Sequence, residues 1–92
     1  MTEIVINRKH GGFGLSEAAK QLYLELGGPN FDLWDEIDRD CPQLVAVVKQ
    51  LGEQADGRYS HLKIVTVPDD VDWYIEEYDG LEWVAERHKV WY

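Results

Sequence analysis

The chain has 92 residues, 45% of them hydrophobic and 12% aromatic, enough for one domain with a modest core. Eighteen Asp and Glu against nine Lys and Arg give a formal net charge of −9, and a chain without a basic footprint is not expected to bind nucleic acid directly. One cysteine, Cys41, excludes an intramolecular disulfide and paired-cysteine metal sites, and no apolar run approaches membrane-spanning length, so no membrane contact is expected.

Glu3 to Arg8 (EIVINR) is rich in β-branched residues and reads as a buried, central strand. The opening MTEIVINRKHGG lacks the apolar core and cleavage site of a signal peptide. Gly11, Gly12 and Gly14 end the strand. Ser16 then offers an N-cap, with Glu17 in the first turn and Leu15, Ala19, Leu22, Tyr23 and Leu26 at helical spacing, so a first helix is expected over 16–27. Gly27, Gly28 and Pro29 stop it.

Phe31, Leu33 and Trp34 suggest a short edge strand, followed by an acidic loop. Asp40 reads as the N-cap of a second helix, with Pro42 near its first position and an apolar stripe of Leu44, Val45, Val47, Val48 and Leu51. Leu62 to Val67 (LKIVTV) is a strand and Val71 to Tyr78 another. Asp79-Gly80 is the strongest hairpin signal in the chain, with Leu81 to Val90 as the returning strand, although LEWVAERH also suits a short helix. A two-residue turn there places Tyr78 opposite Leu81, Ile75 opposite Val84 and Asp72 opposite Arg87. It also sets Glu77 against Glu82, a repulsive pair that requires either another register or a cation from elsewhere. The expected architecture is one α+β domain over 1–92: two helices on one face of a mainly antiparallel sheet, in the order β-α-(β)-α-β-β-β, with a C-terminal meander.

No catalytic signature emerges, and the chain is not expected to be an enzyme. His10, His61 and His88 form no paired spacing, Ser16 lacks the nucleophile-elbow context, and Cys41 has no partners at catalytic spacing. DRD and PDDVD match no calcium-loop spacing, and neither a metal nor another cofactor is expected.

Two constellations are candidates for binding. The first is Arg8, Lys9, His10, Gly11, Gly12, Phe13, Gly14 and Ser16. A strand, a glycine loop and a helix start in that order can hold an anion such as the phosphate of a small molecule, or can simply make a tight turn. The second is the acidic, aromatic C-terminal region: Asp69, Asp70, Asp72, Tyr74, Glu76, Glu77, Tyr78, Asp79, Glu82, Trp83 and Glu86. Carboxylates spaced on a sheet can meet a basic protein surface and steer association, with Trp and Tyr as anchors. Large apolar groups on both hairpin faces make a homodimer conceivable, and Trp91 and Tyr92 extend the aromatic cluster.

Three stretches, Ile4–Ala18 (IVINRKHGGFGLSEA), Ile37–Gly52 (IDRDCPQLVAVVKQLG) and Val67–His88 (VPDDVDWYIEEYDGLEWVAERH), cover most of the chain. Together they resemble a family of small bacteriophage and prophage proteins with GGFGLS and IEEYDG motifs. Cys41 departs from the family pattern, which leads one to expect a second acid after Arg39 and Asp40. The resemblance implies a phage origin and expression in a host bacterial cytoplasm, and it carries over no catalytic residue. It makes an accessory protein that binds and modulates a host protein, such as an inhibitor of a host-defence complex of the anti-CRISPR kind, the leading expectation. A binder of a signalling nucleotide through the glycine loop and a minor virion component are the alternatives.

Overall fold

The computed structural model describes residues 1–28 and 37–87. The suggested edge strand at Phe31, Leu33 and Trp34, and the terminal His88, Trp91 and Tyr92, lie outside them. The elements run β1 (Thr2–Asn7), α1 (Glu17–Glu25), α2 (Pro42–Leu51), a 3-10 turn (Gly52–Ala55), β2 (Leu62–Val67), β3 (Trp73–Tyr78) and β4 (Leu81–Glu86). The fold is α+β, with two helices and four antiparallel strands among the described residues.

The strands form two small sheets rather than one. β1 pairs with β2, from Thr2 opposite Val67 to Asn7 opposite Leu62, and β3 pairs with β4. The expected meander is therefore interrupted: β2 is not bonded to β3. At Pro68 the chain turns, with the Val71 N–H donating to the Pro68 carbonyl at 3.2 Å, and the hairpin lies over the face of the first sheet instead of extending its edge. The apolar pattern explains the choice. Trp73, Ile75 and Val84 pack with Val65 against Ile4, Ile6 and Val67, which takes apolar surface of both sheets out of water.

The protein thus has three layers, and β1 is in the middle one. Its opposite face carries Val5, which joins Leu62, Leu15, Ala19, Tyr23, Leu44, Val47 and Val48 in the larger cluster under the helices. A strand covered on both faces needs apolar residues without alternation, and Ile4, Val5 and Ile6 are each at most 2% exposed.

Ser16 caps α1 as expected, its Oγ accepting from the Ala19 N–H at 3.1 Å. At α2 the cap is not Asp40 but Cys41, which makes no side-chain capping bond; Pro42 occupies the first turn. The Cys41 N–H donates to the Asp38 carbonyl, a short turn that brings the thiol inside. Residues 81–86 are a strand, not a helix.

Candidate functional site

The C-terminal hairpin is built on its turn. Asp79 (φ 51°) and Gly80 (φ 89°) both have positive φ, the combination of a two-residue turn matched to strand twist. The register is the one that the turn dictates, including Glu77 opposite Glu82. Alternation then gives two faces. Trp73, Ile75, Glu77, Glu82, Val84 and Glu86 share the inner face, and Tyr74, Glu76, Tyr78, Leu81, Trp83 and Ala85 the outer one.

Glu82 is the inner anchor. Only 6% exposed, it receives Arg39 in two-pronged fashion, Nη1 to Oε1 at 2.5 Å and Nη2 to Oε2 at 2.9 Å. The Asn7 backbone N–H donates to Oε1 at 2.7 Å, and Arg8 Nη1 donates to the Glu82 carbonyl at 2.7 Å. The Arg39 guanidinium lies 3.6 Å from the centroid of the Phe13 ring. Arg39 is the cation that the Glu77–Glu82 pair requires. Glu77 turns its own carboxylate to the Gly80 N–H, Oε2 accepting at 2.8 Å. Glu82 therefore does not belong with the outward-facing acids.

Buried Asn7 completes the joint. Its Nδ2 donates to the Lys9 and Gly80 carbonyls, each at 2.7 Å, and its Oδ1 accepts from the His61 N–H at 2.9 Å. Neither Asn7 nor Arg39 stood out as a site residue in the sequence. The signal for Arg39 was the like-charged cross-strand pair; Asn7, in a strand of aliphatics, gave none beyond being polar where burial was expected.

The glycine loop packs against this hairpin. Gly11 and Gly12 have φ of 126° and 111°, and the Gly11 N–H donates to the Asp79 carbonyl at 3.1 Å. The Gly14 carbonyl accepts from Ser60 Oγ at 2.8 Å. The Ser16 N–H donates to the Ala55 carbonyl and Ser16 Oγ to that of Gln54, at 3.0 and 2.6 Å. Of the basic candidates, Arg8 is engaged with β4, His10 approaches the Asp79 carbonyl at 3.3 Å, and Lys9 is exposed. The loop's N–H groups at Gly11 and Ser16 are thus used within the protein, next to the acid of Asp79.

The outer face of the hairpin is different in kind. Tyr78 is 71% exposed and Trp83 38%. Glu76 lies between two rings: Tyr74 Oη donates to Oε1 at 3.0 Å and Trp83 Nε1 to Oε2 at 3.0 Å. Donation to that carboxylate raises the Tyr74 phenol above its ordinary range. At the margins, Arg87 lies 5.2 Å over the Tyr74 ring and 3.7 Å from Asp72, and His10 meets Tyr78 edge-on. Asp69 is held by the Met1 ammonium at 3.0 Å and by Thr2 at 2.9 Å, which keep its carboxyl below the usual range. Asp70, Glu76, Glu77 and Glu86 have no ion-pair partner among the described residues.

Among the described residues, no group of three or more His, Cys, Asp or Glu is arranged to hold a metal ion, and no helix is long and apolar enough to cross a membrane. Comparison with protein families, with curated proteins and with solved structures finds no match.

Proposed function

We propose that the protein is a non-enzymatic docking protein whose hairpin outer face binds a basic surface of another protein and modulates that protein. In the phage setting that its motifs resemble, the partner is a protein of the bacterial host, a defence complex such as a CRISPR effector being the leading class. The observation that carries this reading is the outer face itself. Tyr74, Tyr78 and Trp83 share the outer face of the two-stranded hairpin with Glu76, whose charge has no ion-pair partner among the described residues, and the same holds for Asp70, Glu77 and Glu86 around that face. Exposed rings supply contact area at low entropy cost, and unpaired carboxylates supply steering and register. An anion held at Gly11–Gly14 has less support, because the Gly11 and Ser16 N–H groups already donate within the chain.

The test is recovery of the tagged protein from a bacterial host in three forms. The wild type should retain a stoichiometric partner. Reversing Asp72 and Glu76, the acids that alternate with Tyr74 on the outer face, together to Lys should release it, whereas reversing Glu25 and Glu53, exposed acids away from the hairpin, should not. Equal retention by both double variants, each confirmed to be folded, would remove the hairpin face from the interaction.

A further inference from the structure

The inner face of the hairpin shows how this protein binds a guanidinium. Glu82 accepts both prongs of Arg39, and the Phe13 ring lies beneath the cation at 3.6 Å. Carboxylate, fork and ring form one set. The outer face repeats two of its members. Glu76 presents a carboxylate, and Trp83 and Tyr74 flank it with rings.

The hydrogen-bond geometry at Glu76 narrows the chemistry. Each carboxylate oxygen accepts one neutral donor, Tyr74 Oη on one and Trp83 Nε1 on the other, and each oxygen has capacity for a second bond. One open position on each of two coplanar oxygens matches the two parallel N–H groups of an arginine fork better than the single point charge of lysine. The two donors also fix the carboxylate, so little side-chain freedom is lost on binding. The edge of the same face already accepts this group, since Arg87 lies over Tyr74. Uncompensated charge at Asp70, Glu77 and Glu86 adds a field that draws a cation to the face.

Resting on the docking reading above, we propose that Glu76, flanked by Trp83 and Tyr74, receives an arginine side chain of the partner protein.

The experiment follows the indole N–H resonance of Trp83, assigned by its loss in Trp83→Phe, while N-acetylarginine amide is added to the intact protein. The lysine counterpart and sodium chloride at equal ionic strength are run beside it. A saturable shift with the arginine compound is expected, weaker by about fivefold or more with the lysine compound and in Glu76→Gln, and unchanged in Glu86→Gln. Equal shifts from arginine, lysine and salt, or equal titration of the two Gln variants, would overturn the proposal. A second titration with a short polyarginine peptide separates the two readings. If backbone resonances of 70–87 respond alike in wild type and Glu76→Gln, the face docks cations but the arginine site at Glu76 is wrong. If neither protein responds, both readings fall.

Discussion

Arg39 grips Glu82 across 43 positions of sequence, with one guanidinium nitrogen on each carboxylate oxygen. The pair is inside the protein, with side chains 15% and 8% exposed, and it binds the segment before α2 to the hairpin. Breaking it from one side leaves an uncompensated charge. Arg39→Ala and Glu82→Ala should each cost about 3–5 kcal/mol, whereas the double variant Arg39→Ala/Glu82→Ala should cost far less than the sum. Urea denaturation of the four proteins checks this. Additive losses would mean that the two groups act independently.

The turn at Asp79-Gly80 should tolerate one substitution and reject another. A Cβ at Gly80 would overlap the amide nitrogens of Gly11 and Gly12, and φ there is 89°. Gly80→Ala should therefore cost about 2 kcal/mol or more and disturb the glycine loop as well as the hairpin. Asp79→Asn, which keeps a residue suited to positive φ, should stay within about 0.5 kcal/mol of wild type. Thermal unfolding midpoints distinguish the two; equal midpoints would show that neither the contact with the glycine loop nor the positive φ at Gly80 constrains the fold.

Tyr23 gives the protein an alkaline limit. Its phenol is fully buried, and burial first, with Cys41 and Asp38 adding to it, pushes its pKa up to about 12 from 10.0. Between those values the unfolded chain has lost the proton and the folded one retains it. The contribution is complete below pH 10 and disappears as pH rises through the folded value. Urea midpoints should fall with pH above about 10, and more steeply in wild type than in Tyr23→Phe, which has no phenol to titrate. Identical slopes would place the alkaline loss elsewhere.

Ser16 both caps α1 and donates to the Gln54 carbonyl. Ser16→Ala should lower stability by about 1 kcal/mol with an unchanged denaturant slope, and Ser16→Thr should recover most of it. A neutral Ala variant would show that neither bond contributes.

Much of the architecture could be read from the chain because local chemistry dictated it. Asp79-Gly80 specified turn and register, Ser16 specified a helix start, and the stripe from Leu44 to Val48 specified a buried helix face. Division into two sheets could not be read, since apolar residues on both faces of LKIVTV and WYIEEY suit an edge-on meander and a stacked pair equally well. Cys41 displaced Asp40 as the α2 cap because the turn back to Asp38 carries it inward, a tertiary effect. At the site, the conflict between Glu77 and Glu82 announced a missing cation, but no periodicity identifies Arg39 as its source. Glu82 looked like one more surface acid because charge runs do not say which face each member takes.

The pairing of Thr2 with Val67 has a consequence for the life of the chain before it is folded. β1 leaves the ribosome before the other described elements, yet its hydrogen-bonded neighbour β2 follows only after both helices. Until then Ile4, Val5 and Ile6 form an apolar, β-prone run with nothing to pair with, of the kind that recruits other nascent chains. The β3–β4 hairpin, closed by a two-residue turn, can assemble in microseconds, whereas the β1–β2 sheet must close a loop that spans most of the protein. Yield in the cell should accordingly depend on how fast translation reaches β2, and slow codons between residues 8 and 62 should increase aggregation without altering the finished protein.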